Sequence, residues 1–213
     1  MKTDALIEKL AANVAPVPQR ALERRLLFGL LGGGAITLSL IAIILGFRDD
    51  LGLAMRGFAF WLKWAYTISL GTGAVIMVAR LARPEPVRLL EYWPVALPFF
   101  FLAAVSIAEM AHVPSGEWLA MWLGRTWKKC PWIVLMLSGP IFIGLLWSFR
   151  RLAPTRLRAA GAAAGLAAGA WAATLYCLHC PEVSAIFVLT WYTLGIIVAA
   201  GIGALIGPRV LRW

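Results

Sequence analysis

Cys177-Leu178-His179-Cys180-Pro181-Glu182 closes one long apolar run, 159–178, and precedes another, 184–206. Each run approaches the ~20 residues that an α-helix needs to cross about 30 Å of hydrocarbon. Small residues recur every fourth position in both. Gly161, Gly165, Gly169, Ala173 and Cys177 follow one another along the first, and Gly195, Ala199, Gly203 and Gly207 along the second. Small residues at that spacing let helix backbones approach closely. With so short a break between them, the two runs are expected to form an antiparallel helical hairpin.

Working outward, four further runs have the same character: Leu26–Gly46, Phe58–Ala79, Val95–Met110 and Cys130–Phe149. The third is the shortest and carries Pro94 and Pro98, so it is expected to begin earlier or to lie tilted. The chain of 213 residues is 62% hydrophobic and only 14% charged. A soluble domain of this size has too little interior to hide that much apolar surface. The fold class expected is all-α, an integral membrane bundle of six transmembrane helices over residues 26–213, preceded by a segment, 1–25, that is polar and hydrophobic by turns. No cleavable signal-peptide pattern is present, since the first run lacks a small-residue cleavage site.

The net charge of +10 does not point to nucleic acid, because Lys and Arg cluster in short segments between the runs. Placing the N-terminus in the cytoplasm puts fourteen of them on the inner side, five on the outer, and Lys63 inside the second run. Cytoplasmic loops carry such an excess, so both termini are expected inside. Trp118–Trp127 reads as an amphipathic stretch resting on the outer surface. All three cysteines, Cys130, Cys177 and Cys180, and both histidines, His112 and His179, then fall at the outer face.

Cys130 and Cys180 are each followed by proline at the mouth of an apolar run. A thiol at a helix N-terminus is favoured as thiolate, and Lys128 and Lys129 are expected to push Cys130 the same way. The pair suits a disulfide or a shared soft-metal site, with His179 and His112 as accessory ligands. A lone interfacial histidine is more often simply polar. Cys177 continues the small-residue stripe and reads as packing. The alternative makes Cys177 and Cys180 a C-x-x-C centre of a quinone-linked membrane thiol oxidoreductase, but the C-terminal end of a helix is the wrong place for one. Lys63 is expected to snorkel to the outer interface, with Glu109 or Asp49 as partner. No phosphate loop, HExxH or Ser/His/Asp set occurs, which argues against an enzyme, and carboxylates that would mark an ion pathway are missing from mid-span.

At the other end, Thr3 and Asp4 can cap a short helix with Leu6, Ile7, Leu10 and Val14 on one face, ended by Pro16 and Pro18. Such a helix is too short to be stable alone and gains order by docking into a partner's groove.

Met1–Ile7, Phe60-Trp61-Leu62-Lys63, and His179-Cys180-Pro181-Glu182 followed by Phe187–Gly195 resemble the NrsF-type negative regulators of sigma F. The resemblance covers essentially the whole chain. It implies a bacterial inner-membrane anti-sigma factor whose cytoplasmic N-terminal segment, through Asp4, Leu6, Ile7 and Leu10, holds an extracytoplasmic-function (ECF) sigma factor inactive. It also implies that a cysteine pair matching Cys130 and Cys180 senses oxidative or heavy-metal stress from the periplasm. No constitutive cofactor follows, only a transient heavy-metal ion at the thiols. The partners implied are the sigma factor and the bilayer, with no direct contact to nucleic acid. The usual soluble zinc-binding anti-sigma domain is absent, so far less chain must make the sigma contact.

Overall fold

The structure is a computed structural model that describes residues 21–82, 89–149 and 154–212, together with Thr3, Glu8 and Ala12, which are helical and exposed. Asp4, Leu6, Ile7 and Leu10, the residues expected to meet the sigma factor, lie outside the described residues.

The described chain is all-α. Helix α1 (Ala21–Leu40) continues through a π-helical turn, Ile41–Leu45. A short α2 (Leu51–Ala54) leads into α3 (Phe58–Leu81). Then come α4 (Trp93–Ala111), the short α5 (Trp118–Leu123) and α6 (Cys130–Phe149). The bundle closes with α7 (Leu157–Tyr176) and α8 (Ala185–Val210), the latter widened by a π-turn at Val188–Tyr192. Five helices, α1, α3, α4, α6 and α8, are long and apolar enough to cross a membrane, and the protein is read as a multi-pass membrane protein. Helix α7 matches them in length, but alanine and glycine make it less apolar. Large side chains such as Phe28, Leu31, Phe100, Met136, Ile143 and Leu205 stand exposed on the outside of the bundle. In water that much apolar surface would be untenable; against lipid it is the expected boundary.

The less apolar helix is the central one. Helix α7 packs on α8, α3, α6 and α1, and Ala160, Ala164, Ala167, Ala168, Ala170, Ala172 and Ala173 have no exposed surface. Alanine and glycine are what a helix surrounded on all sides requires, because any larger side chain would hold its neighbours off. A Cβ on Gly161 would run into the carbonyl of Gly203, and one on Gly165 into the carbonyl of Ala199. Gly29 and Gly144 make the same backbone contact between α1 and α6.

The stripe on α8 does not face α7 throughout. Gly195 packs against Pro131 and Val134 of α6, with the Pro131 carbonyl 2.8 Å from its would-be Cβ. A residue every four positions advances about 40° beyond a full turn on a helix of 3.6 residues per turn. From Gly207 to Gly195 that drift accumulates to about 120°, enough to carry Gly195 to the next neighbour.

Candidate functional site

The end of the bundle where α6 and α8 begin and α7 finishes holds a cluster assembled from five parts of the chain. Cys130 is the first residue of α6, its N–H donating to the Thr126 carbonyl at 2.9 Å. Cys177 caps the C-terminus of α7. Cys180 lies in the connection 177–184. All three are free thiols with no solvent exposure. The Cys130 and Cys180 side chains lie beside each other, fifty residues apart in sequence. Cys177 donates its S–H back to the Ala173 carbonyl at 3.2 Å, with Thr67 and Tyr192 beside it. The Tyr192 hydroxyl is buried without a nitrogen or oxygen partner and lies against the Cys177 and Cys180 thiols. Tyr176 stacks near Tyr192, ring centroids 5.7 Å apart, and completes the wall.

Burial corrects the expectation that these thiols stand at an exposed surface. The connection 177–184 folds inward and three segments cover it. From the α1–α2 connection, Arg48 N–H donates to the Leu178 carbonyl at 3.1 Å, and Arg48 Nη1 to the Cys180 carbonyl at 3.4 Å. Asp50 fixes the Arg48 guanidinium in place with two contacts of 2.7 Å. That same hydrogen-bonded pairing holds the exposed Asp50 carboxyl below the usual carboxylate range. From the α5–α6 connection, Arg125 N–H (2.8 Å), Thr126 N–H (3.1 Å) and Thr126 Oγ1 (3.1 Å) all donate to Glu182 Oε1. Gly124, at φ 55°, makes the turn that brings them there; a Cβ on it would meet Glu182 Oε2 at 2.6 Å. Behind this, Trp122 and Trp127 pack on Trp191 with centroids 5.5 and 5.2 Å away.

The third covering group comes from α3. Lys63 is 2% exposed. Its ammonium donates to the Glu182 carbonyl at 2.9 Å and to the Cys180 carbonyl at 3.1 Å, and sits 5.3 Å from the centre of the Tyr192 ring. Lys63 therefore does not snorkel outward, and its partner is neither Glu109 nor Asp49. Glu109 instead accepts the Ala185 N–H at 2.8 Å and caps the start of α8. The physical reason is supply: two carbonyls left free by the irregular 177–184 segment solvate the ammonium inside, so it need not reach water. Lys63 also takes the part expected of Lys128 and Lys129 near the thiols. Lys128 lies over the Trp127 ring, 5.3 Å from its centre.

Hydrogen bonding from Cys130, against the opposing effect of burial and reinforced by the Lys63 charge, holds the Cys180 thiol below the usual thiol range. The histidines stand apart from this chemistry. His179 Nδ1 is engaged with the Gly46 carbonyl at 2.8 Å, its ring against Tyr176, and His112 Nδ1 with the Ala108 carbonyl at 2.7 Å. Among the described residues no three His, Cys, Asp or Glu side chains converge as a ready set of metal ligands.

Sequence reasoning missed Glu182, whose carboxylate joins the segment carrying Cys180 to the one leading into Cys130. Replacing it with alanine strands two backbone N–H groups, and hydrogen bonds to a charged acceptor contribute about 1.5–3 kcal/mol. Glu182→Ala is expected to destabilise the fold by about 2 kcal/mol and to speed maleimide labelling of Cys130 and Cys180. Glu182→Gln, which keeps an acceptor oxygen, is expected to lose less. Labelling at the unaltered rate in Glu182→Ala would show that the clamp does not guard the thiols.

No solved structure matches the chain. The family model described as "Negative regulator of sigma F" matches residues 10–213. A probable anti-sigma-F factor of Azospira oryzae is 39% identical over 213 residues, covering the whole of both chains. An anti-sigma-F factor of Caulobacter vibrioides is 37% identical over 214 residues, again covering both completely. With similarity end to end and at this level, the chain belongs to the NrsF family of negative regulators of sigma F.

Proposed function

We propose that the protein is a membrane-bound anti-sigma factor of the bacterial inner membrane. It holds an ECF-type sigma factor of the sigma-F kind through its cytoplasmic N-terminal segment, and lets go when Cys130 and Cys180 react on the periplasmic side. Six spans are proposed, α7 being the sixth, with both termini inside, a reading that the distribution of Lys and Arg supports. The full-length relatives, named as anti-sigma-F factors, support the activity. The observation that carries the sensing is the closeness of two thiols, one at the start of α6 and one in the 177–184 connection, buried with a lysine in a chain with only three cysteines. Oxidation to a disulfide, or capture of a soft heavy-metal ion by the two sulfurs, would each tie the start of α6 to the segment before α8.

A family of regulators has no turnover to perform, and the reading of Cys177 and Cys180 as an oxidoreductase centre lapses with it. The geometry does not favour it either, because Cys177 ends a helix rather than starting one.

The sigma contact is assigned to Asp4, Leu6, Ile7 and Leu10 of the N-terminal segment, on the strength of their spacing in the sequence. A chain lacking residues 2–15 is expected to reach the membrane at the normal level, to lose co-purification of the sigma factor, and to leave the target genes on without stress. Continued repression by that chain would place the contact elsewhere.

A further inference from the structure

Arg125, Lys128 and Lys129 stand within five consecutive positions just before α6, at the end of the bundle that holds the thiols. In the orientation proposed above, loops on that side of the membrane ordinarily carry few cations. Among the described residues none of the three forms an ion pair, and the hydrogen bond from Arg125 to Glu182 runs through its backbone N–H. Their charge is therefore not spent in holding the bundle together.

Below them a cavity of about 170 Å³ opens between α6 and α8. Trp132, Leu194 and Val198 of its walls are exposed on the outside of the bundle, so it faces lipid. Its upper end is rigid. Trp127 packs on Trp191 there, and the Trp191 indole N–H donates to the Trp122 carbonyl at 2.7 Å. Trp191 belongs to the π-turn Val188–Tyr192, a wide turn of the kind that recurs at functional sites. Lys128 stands at the mouth, its ammonium 5.3 Å from the centre of the Trp127 ring. The lower walls are Pro131 and Leu135 of α6 and Leu194 and Val198 of α8. Proline has no N–H to present, so the first turn of α6 adds no backbone donor at Pro131. From Trp191 to Val198 the groove descends about 10 Å at 1.5 Å per residue, within the ~15 Å of hydrocarbon that one leaflet supplies. A cation at the mouth, indoles at headgroup level and an aliphatic slot beneath match a phospholipid from phosphate to acyl chain.

We propose that this groove is a binding site for an anionic phospholipid of the phosphatidylglycerol type, drawn from the leaflet at the thiol end of the bundle. One acyl chain lies between Leu135, Leu194 and Val198. The phosphate lies on Lys128, with Arg125 and Lys129 adding to the positive field. A zwitterionic lipid offers the same chain but offsets its phosphate with its own ammonium, so charge sets the preference. Helices α6 and α8 meet where Pro131 touches Gly195, and the lipid covers that seam from outside. The site does not depend on any reaction of the cysteines.

The test uses the full-length chain in phosphatidylcholine nanodiscs, doped with phosphatidylglycerol or phosphatidylcholine that carries a diazirine on one acyl chain. Photo-cross-linked residues are mapped by mass spectrometry. The phosphatidylglycerol probe is expected to label Leu135, Leu194 and Val198 several-fold more than the phosphatidylcholine probe. Lys128→Gln is expected to lower that labelling by roughly fivefold, and Leu194→Trp, which fills the slot, to remove it for both probes. Both side chains lie on the outside of the bundle, so neither change disturbs the core. The measurement on the unaltered chain stands alone. Labelling spread evenly over Phe28, Phe100, Ile143 and Leu205 would reveal only a general lipid boundary and overturn the proposal, as would equal labelling by the two probes. Soluble glycerol phosphate that displaces the probe as well as unlabelled phosphatidylglycerol does would mark a free-anion site. Cross-links between two copies of the chain through Trp132 would mark an interface between copies. Either result would overturn the proposal.

Discussion

Gly161→Leu is expected to prevent accumulation of the folded protein in the membrane. The site has no room for a side chain: the first added carbon meets the Gly203 carbonyl, and the Gly207 Cα lies 2.9 Å away. Both are backbone atoms of α8, which cannot rotate aside as a side chain can. Overpacking of a core costs about 1–3 kcal/mol when side chains absorb it. Here the helices themselves must part, which also opens the contacts at Gly165 and Gly207 on the same seam, so the loss is expected at or above ~3 kcal/mol. Because α7 is also the helix that α3 and α6 pack against, the damage reaches the thiol cluster at its far end. Gly201→Leu on α8 is the control. Nothing lies within 4 Å of its would-be Cβ, and leucine favours a helix over glycine by close to 1 kcal/mol. Steady-state protein level and thermal aggregation of a fluorescent fusion measure both. Normal accumulation of Gly161→Leu would contradict the packing described.

The helices were legible in the sequence because lipid imposes a length and a composition on each one. Cys130–Phe149 is the same span in both readings, and the short third run gains its missing length by starting at Trp93. The seam between α7 and α8 was legible too, since a glycine every fourth residue has few other uses in an apolar helix. What resisted reading was the inside of the 177–184 segment. Glu182 looks like a surface carboxylate until the turn at Gly124 brings two N–H groups to it. Lys63 looks like a snorkelling lysine until the carbonyls of Cys180 and Glu182 are seen to turn inward. Both depend on contacts between residues more than fifty positions apart, and composition carries no record of them. Gly195 fails for a simpler reason: a fourfold repeat drifts around a helix of 3.6 residues per turn, so one stripe serves two neighbours.

The other large effect concerns the thiols. Moving a sigma factor from nearly all bound to nearly all free takes about 5 kcal/mol of differential stabilisation. A disulfide between Cys130 and Cys180 is one chemical event that contributes ~2–4 kcal/mol as a cross-link. Serine at Cys130 and Cys180 removes that event while keeping small polar side chains in place. The most direct measurement is therefore expression of the sigma factor's target genes in cells carrying Cys130→Ser with Cys180→Ser, before and after exposure to peroxide or cadmium. The account predicts that expression no longer rises with either agent, and that Cys177→Ser still responds. A normal rise in the double variant would contradict it.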